Sequence, residues 1–204
     1  MGKFQGVKEK LHSPLYDAFF VPGAKNGDPP KTFQQSMTDP RVIRFFVDVQ
    51  SKTKLETNMP SAGVLPSMNT FEARALRVVA SSPSFRGEVI QEPALLAELI
   101  YNSVTTLIVG EKIMIEMPTF FFPSGAGVSP GLPNVTNHGE PNPTATFRFA
   151  EPVTIESQQN FRVEMVFPQG VPGQDASPPD RLAGLKGPMR LWVVLDGYLT
   201  RDVQ

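Results

Sequence analysis

Along much of this chain apolar side chains recur at every second position in short runs, and loops that carry proline cut the runs off. Residues 160–167 show the pattern best, with Phe161, Val163, Met165 and Phe167 on one side and Arg162 and Glu164 on the other. Successive side chains on an extended backbone point to opposite faces, so this period predicts a strand with one face in a core. The 21 prolines among 204 residues are spread between the apolar runs and are not gathered in one linker. Proline cannot donate to a ladder, so this placement limits the chain to short strands with frequent turns.

The same period predicts strands over residues 41–49, where Ile43, Phe45, Val47 and Val49 share a face, over 71–80, and over a shorter stretch near 54–58. A hairpin follows over 105–117, turning tightly at Gly110-Glu111. Further strands are predicted at 144–149, 153–156 and 189–195. Asp196-Gly197 then reads as a hairpin turn into a last strand at 198–203. One helix is expected over 92–103, with Pro93 in its first turn and Leu95, Leu96, Leu99 and Ile100 at helical spacing.

Residues 1–40 carry Lys3, Lys8, Lys10, Lys25 and Lys31 between turn clusters and hold few periodic apolar positions, which predicts an extended N-terminal arm ahead of one domain at 41–204. The sum is an all-β fold, a sandwich or jelly roll of eight or more strands with one short inserted helix. The opening residues lack a continuous apolar stretch, and no window approaches 18 uncharged apolar residues, so a soluble, non-secreted chain is expected.

Two places break the alternation. Phe46 falls on the polar side of its strand, and Phe120, Phe121 and Phe122 are consecutive, so at least one large ring must leave the domain's own core or find a second one. The loop after the triple, Ser124-Gly125-Ala126-Gly127, lacks the Gly-Lys-Ser/Thr ending and following helix of a phosphate cradle. Its glycines instead suggest a positive φ or a close backbone approach.

Chemistry-bearing residues are sparse. With no cysteine, thiolate catalysis and cysteine-based zinc sites are excluded, and the only histidines, His12 and His138, fall in predicted arm and loop. His138 with Glu140 is a weak candidate for a cation. Glu116 and Glu164 alternate with inward apolar residues, so they could share a sheet face as a glycosidase pair, or lie on a solvated face beside Arg162 or Lys112. One Trp and three Tyr against 15 Phe suit cores and protein interfaces better than sugar platforms. The net charge of -1 leaves no global field for nucleic acid, and Arg41, Arg44, Arg74, Arg77 and Arg86 are interleaved with Asp39, Asp48 and Glu72.

The segments QQNFRVEMVFP (158–168), MRLWVVLDGYLTRDVQ (189–204) and the hairpin leading into PTFFFPSGAGV together resemble the single jelly-roll capsid proteins of icosahedral bacteriophages and related viruses. The likeness covers about residues 41–204 as a pattern of strand lengths, loops and one helix. It implies two four-stranded sheets and a structural, non-enzymatic subunit that assembles with copies of itself and with other capsid proteins. The location it implies is a virion put together in host cytoplasm.

The resemblance further implies no cofactor, no metal and no small-molecule substrate. A strongly basic arm is missing, so no specific nucleic-acid binding is expected, and the shell could enclose a membrane. Phe46, Phe120, Phe121, Phe122 and Trp192 are the candidate subunit-interface residues. The competing readings are a β-sandwich carbohydrate-binding or glycosidase-like module and a phage tail, spike or accessory structural protein.

Overall fold

The alternating runs become strands in the computed structural model, which describes residues 8–25, 27–81, 99–127, 140–142, 144–168 and 185–202. They are β1 (Lys8–His12), β2 (Leu15–Val21), β3 (Val42–Phe45), β4 (Thr70–Ser81), β5 (Val104–Val109) and β6 (Lys112–Pro118). After these come β7 (Ala126–Gly127), β8 (Glu140–Pro141), β9 (Phe147–Ile155), β10 (Phe161–Val166) and β11 (Met189–Asp202). A four-residue helix, α1 (Phe33–Ser36), and a 3-10 turn, η1 (Thr119–Phe121), lie between them.

The pairing is nested. β2 pairs with β11, β3 with β10, β4 with β9 and β5 with β6, each antiparallel, as in one long hairpin rolled on itself. β11 also pairs with β4, and β10 with β5, which gives a first sheet β2-β11-β4-β9 and a second sheet β3-β10-β5-β6. This is the jelly roll, an all-β sandwich. β1 extends the first sheet along the same edge of β11, facing Tyr198 to Asp202 where β2 faces Met189 to Leu195.

Side chains of the alternating positions fill the space between the sheets. Leu76, Val78, Leu191, Val193, Leu195 and Ile155 from the first sheet meet Phe45, Leu107, Phe161, Val163 and Met165 from the second, all buried. Helix α1 closes one end. Thr32 caps it, its hydroxyl accepting from Gln35 N while Gln35 Oε1 accepts from Thr32 N, and Phe33 is set edge-on to Phe19 and Phe167.

One buried position on β2 is polar. Asp17 occupies an inward site of the alternation and is fully buried, accepting from Phe46 N at 2.6 Å and from Lys52 Nζ at 2.8 and 2.9 Å. Its bond holds Phe46 at φ 68°, a conformation that L side chains avoid. That turn of the backbone ends the alternation of β3, so Phe46 swings inward onto Phe161, with ring centroids 5.2 Å apart, while Val47 is left exposed.

Several sequence expectations change. Residues 54–58 are a turn and not a strand: Thr53 O accepts from the amides of Glu56 and Thr57, and the Glu56 carboxylate accepts from Thr53 N and Oγ1. Asp196-Gly197 is not a hairpin turn, because β11 runs straight through it with a bulge. The segments 144–149 and 153–156 merge into β9, an edge strand whose Pro152 falls where the ladder to β4 slips and no donor is needed. The hairpin at Gly110-Glu111 forms as expected, with Gly110 at φ 62°. Of the expected helix, residues 99–101 are helical with Leu99 in the core, and 92–98 lie outside the described residues.

Candidate subunit interface

Strand β6 ends at Pro118, and the run of three phenylalanines begins inside η1. A 3-10 turn repeats every three residues, so positions i and i+3 lie on one side. Thr119 and Phe122 therefore face inward together, and Phe120 and Phe121 face out. Phe122 is 2% exposed and meets Phe147 edge-on at 5.3 Å, whereas Phe120 and Phe121 are 47% and 46% exposed.

The turn rests on a buried knot of hydroxyls. Ser103 Oγ donates to Leu99 O at 2.8 Å and lies 2.7 Å from Thr119 Oγ1, which in turn lies 2.8 Å from Thr105 Oγ1. Thr119 N donates to Ser103 O, and the Phe122 carbonyl accepts from Val78 N, which ties the turn to the first sheet. Each buried hydroxyl has a partner, so the backbone below the rings is held from both sheets. On this base the Phe120 and Phe121 rings stack with centroids 4.7 Å apart, and Tyr101, 68% exposed, adds a third ring 5.9 Å from Phe120. Large exposed rings held in one place mark an interaction surface more often than scattered apolar residues do.

The other candidate residues sit elsewhere. Phe46 and Phe122 belong to the chain's own core, so neither presents a surface to a neighbour. Trp192 lies on the outer face of the first sheet, opposite Ala18 and Val79, and its Nε1 donates to Leu55 O at 2.9 Å. The turn at 53–56 thus covers it partly. The period of the triple was the missing signal: read as a strand it sends rings alternately in and out, and only the proline at 118 hints that the strand stops first.

Glu116 and Glu164 do share a face. Both stand opposite Thr106 on β5, so they are two strand spacings apart, roughly 10 Å at the backbone. Arg162 Nε lies 2.7 Å and Arg44 Nε 3.6 Å from Glu164 Oε1.

The arginines considered as one strip are divided between the sheets, Arg44 with Asp39 on the second and Arg74 with Glu72 and Arg77 with Asp196 on the first. Hydrogen bonds from Lys10 and then Arg74 hold the Glu72 carboxyl below its usual range. Gly125 adopts φ 83° against the Arg77 side chain, in keeping with a loop shaped by a positive φ. His138 and Arg86 lie outside the described residues.

Comparison of the chain with protein family models, with curated proteins and with solved structures finds no match in any of the three.

Proposed function

We propose that this protein is a structural subunit that associates with copies of itself into a closed shell of the viral or phage type, with the Phe120–Phe121 stack and Tyr101 at a subunit contact. The observation that carries the reading is the exposed three-ring platform on its hydroxyl-bonded base. A jelly roll is compatible with shells, lectins and cupins alike, so the fold by itself decides nothing. The rings do more. Covering one large apolar side chain stabilises an association by roughly 1.5–3 kcal/mol, and rings held in place beforehand lose little conformational freedom on docking.

The test is the double variant Phe120→Asp/Phe121→Asp, followed by sedimentation velocity and negative-stain imaging. The unaltered chain is expected to form rings or closed particles. The variant should stay monomeric with an unchanged circular dichroism spectrum, since both side chains already face solvent. Normal particles from the variant, or a wild-type chain that stays monomeric at high concentration, would overturn the proposal.

A further inference from the structure

Two ladders of the first sheet slip at the same level. The β11–β4 register shifts between Asp196 and Gly197, and the β4–β9 register shifts between Ala73 and Ala75. Bulges bend a strand and re-aim its side chains, and here they leave a concavity of about 750 Å³ lined by the small residues Ala75 and Gly197. That volume is in the range of small-ligand sites, roughly 300–1,000 Å³.

Charge around the concavity is one-sided. Arg74, Arg77 and Arg148 line it against a single carboxylate, Asp196. Arg77 is committed, its Nε and Nη2 donating to the two Asp196 oxygens at 2.5 and 3.0 Å and its Nη1 to Ser124 O. Arg74 is held by Glu72 and lies over the Tyr198 ring, 5.0 Å from its centroid. Arg148, exposed on β9, has no hydrogen-bond or ion-pair partner among the described residues. The cluster therefore presents one uncommitted guanidinium, with a second that keeps donors to spare.

We propose that this concavity binds a small oxyanion-bearing ligand, a carboxylated or phosphorylated sugar, with Arg148 as the anchor and Arg74 as the second contact. Guanidinium forks suit carboxylate and phosphate oxygens equally, through paired hydrogen bonds. Asn142, Thr146 and Tyr198 add hydrogen-bonding groups on the wall that suit sugar hydroxyls, and Phe149 offers an apolar side to the ring. The site is a place of binding, and it lies on the first sheet's outer face.

Calorimetric titration of the full chain with glucuronate, glucose 6-phosphate and glucose tests it. The expected result is binding of the two anions and none of glucose. Arg148→Gln should weaken anion binding tenfold or more, as for loss of a charge-assisted hydrogen bond. Arg44→Gln, on the other sheet, should change nothing. If only one anion binds, the proposal stands and the anionic group is identified. If neither binds at millimolar concentration, if glucose binds as well as the anions do, or if folded Arg148→Gln binds like wild type, the proposal fails.

Discussion

Asp17→Ala is expected to cost roughly 3–5 kcal/mol, the usual loss when one partner of a buried ion pair is removed. For a chain of this size that lowers the melting temperature by about 6–20 °C. Two effects act together. Lys52, whose side chain is 19% exposed, would keep its charge near the core without this counterion, and Phe46 N would lose its acceptor where the backbone is already strained. Lys52→Met removes the ion pair but keeps the Phe46 amide bond, and it leaves the buried Asp17 carboxylate without a counterion. It should also destabilise, and the double variant should lose less than the sum of the two singles. Urea unfolding followed by circular dichroism reads all three, and a loss below about 1 kcal/mol for Asp17→Ala would mean that the pair behaves as a solvated surface contact.

Gly197→Ala is expected to be nearly as harmful, for a different reason. Its Cβ would stand 2.1 Å from Glu72 O and 2.8 Å from Phe71 Cζ. The carbonyl belongs to β4, which is paired on both sides and cannot retreat without breaking a ladder. Overfilling a packed site costs up to about 3 kcal/mol, and a fixed backbone puts this case at the upper end. Gly110→Ala is the comparison. Gly110 needs its glycine for φ 62°, but nothing lies closer than 3.8 Å to the added carbon, so about 1–2 kcal/mol is expected there. Equal unfolding midpoints for the two variants would show that the close approach at Gly197 is relieved in solution.

The fold was legible wherever burial and the period of two coincide. In residues 160–167 the inward and outward sets fall as the sequence predicts, because a strand central to its sheet has one face in the core and no freedom to slip. Reading failed where a local feature overrides the period. Phe46 is drawn inward by a carboxylate 29 positions earlier in the chain, a partner that no window around residue 46 contains. Gly197 sits in an Asp-Gly pair that favours a two-residue turn, yet it is used to let two strands approach. Phe120 and Phe121 were recognisable as surplus rings, but their direction depends on a single 3-10 turn whose Thr119 hydroxyl is held by Ser103 and Thr105, 16 and 14 positions earlier. The concavity beside Arg148 left no mark in the sequence, because bulges in two ladders create it and a bulge has no period.

The nested pairing also sets an order of events. β11, the central strand of the first sheet, is made after every other described strand of the sandwich, and Leu15 must wait for Leu195 before its pairing can close. Until then β2 and β4 have nothing between them, so of the first sheet only the β4–β9 ladder can pair during synthesis. Contacts of such long sequence separation make folding slow. Meanwhile β3, β5 and β10 can already associate, and the half-built sandwich would show its apolar inner face to the cell. A translation intermediate lacking β11 is the species with most to gain from a chaperone.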